Sequence, residues 1–193
     1  MSRKSKSHAK TQGEIIEHIQ DLNIDVDKRV IYVYDEINNE TAKQFVQNLD
    51  FLNKTDGIIH LYINTPGGDW VDGMAMFSAV RLSRNNVIGH IYGDCSSMGS
   101  IIIQACTNRV ATAESEMLIH PGSSYAHKDS ISFVNQGKHE ADILERMYQI
   151  YWNRIPDEKK RKLTYRSFKA KFAHDIYLTA EKALTLGLID DII

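Results

Sequence analysis

The sequence predicts an α/β domain built on a largely parallel sheet. Runs of β-branched and aromatic residues alternate with stretches of helical periodicity along the chain. The strand runs are apolar without clean alternation, the pattern expected where helices cover both faces of a sheet. The chain's 193 residues fill one domain and fall short of two.

Residues 1–13, MSRKSKSHAKTQG, are basic and polar and read as a solvated, disordered tail, with a docking tail for an acidic partner as the alternative. Residues 14–193 then form the single domain. Ile15, Ile19 and Leu22 recur at helical spacing and predict a short amphipathic helix. Arg29 to Tyr34 is a strand. Ala42, Phe45, Val46, Leu49 and Leu52 predict a helix from Asn39 to Leu52 with an Asn as its cap. Ile58 to Ile63 is a strand that ends in Thr65-Pro66-Gly67-Gly68, and a helix follows from Trp70 to Leu82. Val87 to Tyr92 is a strand, Met98 to Ala105 a helix, and Arg109 to Ala111 and Met117 to His120 are short strands. Ile131 to Trp152 reads as one long helix stopped by Pro156. Its polar first half precedes Ile143, Leu144, Met147, Ile150 and Tyr151, an arc too wide to face one small core. Lys159 to Lys171 is basic, with Leu163, Phe168 and Phe172 as its buried positions. A last helix runs from the cap Thr179 to Gly187.

Composition narrows the function classes. Hydrophobic content of 42% and charged content of 25% are globular values, which argues against a disordered chain. A net charge of −2 gives no pull toward nucleic acid or membrane. Two cysteines make no disulfide framework and no ligand-spaced metal pair, so a reducing, cytoplasmic setting without a bound metal is expected. No apolar run has membrane-spanning length, and the N-terminus lacks a signal-peptide core.

Two loops leave parallel strands at their C-terminal ends, where open α/β sheets place ligands: Pro66-Gly67-Gly68 and Gly93 to Gly99. In the second, Ser97 stands where a strand feeds a helix, which follows the logic of a nucleophile elbow without the usual G-x-S-x-G pattern. A serine hydroxyl needs an imidazole to take its proton, and the imidazole needs a carboxylate to fix its tautomer. His120 and Asp175 follow in that order, each at an element end. With eight histidines in the chain, residue chemistry leaves His120, His127 and His174 as candidates. Ser96 and Cys95 are the rival nucleophiles.

Four collinear motifs carry a resemblance. They are Ile63-Asn64-Thr65-Pro66-Gly67-Gly68, Ser97-Met98-Gly99, Met117-Leu118-Ile119-His120, and Asp175 to Glu181 followed by Gly187-Leu188-Ile189-Asp190. From Arg29 onward the chain resembles the proteolytic subunit of the Clp protease family. The resemblance implies a crotonase-like fold, with a parallel β core flanked by helices and a protruding handle helix. It implies a serine endopeptidase that stacks as two heptameric rings around a closed chamber and cleaves peptides and unfolded polypeptides. Ser97 would be the nucleophile, His120 the base, Asp175 the orienting carboxylate, and the Gly68 and Met98 N–H groups the oxyanion hole. The subunit would need no cofactor, and ATP would enter only through a separate Clp-type AAA+ unfoldase. The helix from Ile131 would meet its counterpart from the opposite ring, and residues 122–130 would supply an edge strand covering His120.

The sequence departs from that family in four places. Ser96 replaces the usual Ala, and Pro121-Gly122 follows His120 where the family has Gln then Pro. The tail is basic instead of apolar, and the chain ends at Ile193, directly after the Gly187 to Asp190 motif. The last two departures weigh against a typical Clp ATPase as partner and leave the triad untouched. A catalytically silent ring or scaffold subunit, and a crotonase-fold enzyme acting on acyl-CoA, are the alternative readings.

Overall fold

The structure is a computed structural model that describes residues 16, 19, 21–122 and 130–193. The tail at 1–13 lies outside the described residues, and so does the edge strand expected over 122–130, apart from Gly122 and the backbone of Ser130. Ile16, Ile19, Asp21 and Leu22 are helical, in keeping with the amphipathic segment read there.

Among the described residues, one mixed sheet of eight strands organises the domain. Its strands are β1 (Ile24–Asp25), β2 (Val30–Val33), β3 (Ile59–Thr65), β4 (Val87–Ser96), β5 (Asn108–Ala111), β6 (Glu116–Ile119), β7 (Ile176–Thr179) and β8 (Asp191–Ile192). The order β1-β2-β3-β4-β5-β8 is parallel throughout except for the antiparallel β1. Strand β4 is long enough to serve two neighbours. Ile88 to Ile91 pair with β5, and Asp94 to Ser96 pair with β6, which in turn pairs antiparallel with β7. This branching carries the end of β4 out to where β6 ends, and it sets the geometry of the site.

Besides the helical residues before β1, the described residues include the helices α1 (Asn39–Leu52), α2 (Trp70–Arg81), α3 (Met98–Ile102), α4 (Ser130–Arg154), α5 (Asp157–Lys160), α6 (Tyr165–Lys171) and α7 (Ala180–Leu186). The cap of α1 is Asn38, in keeping with the expected Asn cap. Its side chain accepts from the N–H groups of Glu40 and Thr41, while the Thr41 hydroxyl accepts the Asn38 N–H in return. Phe45 and Leu49 of α1 and Met76 and Val80 of α2 are buried in one core with Ile31, Leu61 and Ile63 of the sheet.

The expectation of a sheet covered on both faces is corrected. Strand β3 alternates: Ile59, Leu61 and Ile63 are buried, while His60, Tyr62 and Asn64 are half-buried. The open face carries a ladder of Tyr32, Tyr62, His90 and Tyr92, with Tyr62 ring centroids 5.7 Å from Tyr32 and 4.9 Å from Tyr92. The large apolar bodies of Tyr and His make such a face look buried in composition.

The Gly187 to Asp190 motif anchors the C-terminus. Buried Arg109 grips Asp190 through Nε at 3.0 Å and through a second guanidinium nitrogen at 2.5 Å, and reaches Gln104 Oε1 at 2.6 Å. Burial pushes the Asp190 carboxyl up, but the hydrogen bonds and charge of Arg109 outweigh this and hold it below the ordinary value.

Candidate active site

Ser97 is the single residue between the end of β4 and the start of α3. Its backbone sits at φ 51 and ψ −118, a region that costs a non-glycine residue about 1–3 kcal/mol. Neighbouring bonds hold it there. The Ser97 N–H donates to Leu118 O of β6 at 2.9 Å, and Ser97 O accepts from Ser100 N–H at 3.1 Å and Ser100 Oγ at 2.6 Å. The small residues of Gly93 to Ser100 answer to crowding: a Cβ on Gly99 would stand 2.6 Å from the Thr65 methyl.

His120 follows β6 directly. Because Ser96 of β4 pairs with Leu118 of β6, the two strand ends bring Ser97 and His120 side by side. His120 Nε2 lies 2.7 Å from Ser97 Oγ. With the imidazole proton on Nδ1, Nε2 accepts the Ser97 O–H, the alignment a general base needs.

Asp175 is placed differently. It is exposed, and no hydrogen bond or ion pair joins it to His120 among the described residues. The β6–β7 ladder stops one residue short of both groups. Ile119 pairs with Ile176, and His120 and Asp175 are the residues next to that last pair on the two chain segments.

The Pro66-Gly67-Gly68 turn abuts the elbow: a Cβ on Gly67 would lie 2.6 Å from Ser97 Cβ and 2.8 Å from Met98 N. Gly68 sits at φ 149 in a bridge to Ile37. That bridge uses the Gly67 carbonyl, which accepts from Ile37 N–H at 2.7 Å, and the Asp69 N–H, which donates to Ile37 O at 2.8 Å. In this parallel pattern the Gly68 N–H points away from Ile37. Thr65 Oγ1 braces the turn by accepting the Gly67 N–H at 3.1 Å and donating to Asp35 O at 2.6 Å. Met98 is the first residue of α3, so its N–H has no acceptor within the helix.

The rival nucleophiles are occupied or buried. Ser96 Oγ donates to Asp94 Oδ1. Cys95 is fully buried, and burial, with Asp94 and Cys106 nearby, pushes its thiol well up, away from the reactive thiolate. His174 is exposed, and His127 lies outside the described residues.

A cleft of about 500 Å³ opens over Ser97 and His120. Trp70, Ile101, and Ile143, Leu144 and Met147 of α4 are among the residues that line it. The sequence reading had not assigned α4 to the site. Its wide apolar arc is spent within the chain: Met147 and Tyr151 are buried, and the residues just before them wall the cleft. The exposed apolar side chains of α4 lie instead in the first half, at Ile131, Phe133 and Val134. Among the described residues no cluster of three or more His, Cys, Asp or Glu is placed to hold a metal ion. No described helix is long and apolar enough to cross a membrane.

A branched α/β sheet thus sets a serine against a histidine at a strand-to-helix turn, beneath an open cleft. The chain belongs to the Clp protease family, whose sequence profile matches residues 12–193. It is 28% identical over 173 residues to the ATP-dependent Clp protease proteolytic subunit 3 of Synechococcus sp. strain CC9902, a match that covers 86% of this chain and 82% of the relative. The same subunit from Synechococcus sp. strain CC9605 matches with the same identity and coverage.

Proposed function

We propose that this chain is the serine endopeptidase subunit of a self-compartmentalising ring protease. The observation that carries the reading is the 2.7 Å contact between His120 Nε2 and Ser97 Oγ at a strained strand-to-helix turn. His120 takes the Ser97 proton as Oγ attacks the scissile carbonyl carbon. The developing oxyanion is met by the Gly68 and Met98 N–H groups. The proton then passes from His120 to the leaving amine, and water, activated by the same imidazole, releases the acyl group from Oγ. Asp175 fixes the His120 tautomer once its side chain turns toward the imidazole. No step calls for a cofactor within the subunit.

Self-assembly into stacked rings agrees with the apolar residues that α4 leaves exposed, Ile131, Phe133 and Val134, since such a stripe is covered by another surface in a stable assembly. The relatives' names make them ATP-dependent, so a separate ATP-driven unfoldase is proposed as the partner, and the cytoplasm as the setting. Unfolded polypeptides are then the substrate class, with an apolar side chain seated between Ile101 and Leu144.

The exposed Asp175 favours one second reading, a ring subunit without turnover. A fluorophosphonate probe tests both: stable adduct at Ser97 and peptide hydrolysis support the peptidase, and an unlabelled, assembled chain supports the silent subunit.

A further inference from the structure

The groups that aim the Met98 N–H are themselves held from α4, through a buried relay outside the Ser97–His120–Asp175 set. Ser97 O and Met98 N–H belong to one peptide unit. That unit is planar and trans, so whatever pins the carbonyl fixes the direction of the N–H opposite it. Two bonds pin the carbonyl, both from Ser100, and the shorter, 2.6 Å, comes from Ser100 Oγ. A serine hydroxyl has one hydrogen to give. Here it goes to Ser97 O, which can only accept. Tyr151 OH lies 2.6 Å from the same Ser100 Oγ and must therefore be the donor in that contact. The relay thus runs in one direction, from Tyr151 O–H to Ser100 Oγ–H to Ser97 C=O.

Burial makes this relay stiff. Ser100 is 0% and Tyr151 1% exposed, so no water competes for either hydroxyl. Burial also pushes the Tyr151 phenol up and keeps it protonated as a donor. The other side of Ser100 is fixed too. Gln104 Nε2 donates to Ser100 O at 3.1 Å and to Leu188 O at 3.2 Å, and Gln104 Oε1 accepts from Arg109. Without the relay, the strained backbone of Ser97 would be free to relax, and relaxation swings the Met98 N–H off its line.

We propose that Tyr151 is a positioning residue for peptide hydrolysis: through Ser100 it orients the Ser97–Met98 peptide unit, and so the oxyanion-binding N–H. This rests on the peptidase reading above. Because Ile143, Leu144 and Met147 of the same helix wall the cleft, α4 both shapes the cleft and aims the donor.

The test is a double-mutant cycle with Tyr151→Phe and Ser100→Ala, read on folded protein. Tyr151→Phe keeps the ring and removes one hydrogen-bond donor. Its kcat and its rate of fluorophosphonate labelling at Ser97 should fall by about 3- to 10-fold, the scale of one net hydrogen bond, with KM little changed. Ser100→Ala should lose more, and adding Tyr151→Phe to it should cost nothing further, because the relay is already cut. Amide exchange at residues 97–101 should speed up in each variant. Strictly additive losses would overturn the proposal, and so would a Tyr151→Phe variant that only melts earlier while kcat, labelling and exchange stay normal. Should the parent chain neither label nor cleave, the peptidase reading fails, and the exchange measurement alone decides whether Tyr151 holds the elbow.

Discussion

Gly68→Ala separates the oxyanion role of the glycine turn from its structural role. The added Cβ would stand 2.1 Å from Ile37 O and 2.7 Å from Ile37 N, far inside any tolerated contact, at a φ of 149 that L side chains rarely adopt. The bridge to Ile37 must part. Its two hydrogen bonds, 2.7 and 2.8 Å long, are worth about 1 kcal/mol each. Backbone strain adds about 1–3 kcal/mol. Stability should therefore fall by roughly 3–5 kcal/mol on these terms combined. Catalysis should fall further, because the Gly68 N–H turns away from the developing oxyanion: losing one such donor typically costs about 10²- to 10³-fold in kcat. Gly57→Ala is the control. Its φ of 140 is as demanding, yet its Cβ meets only the Arg29 side chain at 3.0 Å, far from Ser97 in the fold. Peptide turnover and urea melts on both variants give the answer. Gly57→Ala should lose stability alone, whereas Gly68→Ala should lose kcat as well. Normal kcat in folded Gly68→Ala would refute the reasoning.

Other perturbations read other parts of the account. Ser96→Ala should retain most peptidase activity, since Ser96 Oγ is committed to Asp94, and loss of activity there would move the nucleophile by one residue. Asp175→Asn should leave the fold intact and lower turnover by about three to four powers of ten; near-normal turnover would remove Asp175 from the mechanism. Burial, reinforced by the charge of His60, pushes His90 down to about 4, while an unfolded histidine protonates near ~6.5. The unfolded state thus binds more protons between those values, so stability should be full above about pH 6.5 and drain away as pH falls toward 4. In His90→Gln that slope should flatten in melts taken across the window. Arg109→Met should destabilise by about 3 kcal/mol, the low end for a broken buried pair, because Asp190 keeps some contact with water.

Much of this was legible in the sequence because it depends on local pattern. Strand and helix periodicity located the core of the sheet and the longer helices but not α6, whose Tyr165–Lys171 lies in a segment read only as basic, and the Ser97 elbow and Gly67-Gly68 turn were marked by residues that only such turns require. What escaped depends on pairing across distance. Gly93 and Asp94 looked like the end of a strand, yet β4 continues to Ser96 because β6 takes over its hydrogen bonds. Strands β1, β7 and β8 are two to four residues long and exist only through their partners. The cleft wall on α4 gave no signal, since Leu144 and Met147 fit a helix packed on a core as well as one facing a substrate. Nor could the Tyr151–Ser100 relay be read from residues 51 positions apart.

The central claim is that Ser97 is a nucleophile activated by His120, and the site of covalent attachment tests it most directly. The full chain is treated with a fluorophosphonate probe and digested, and the adduct is located by mass spectrometry in the parent chain and in His120→Ala. The account predicts a single adduct on Ser97 that is nearly abolished in the folded His120→Ala variant. An adduct on Ser96, or equal labelling of Ser97 without the histidine, would contradict it.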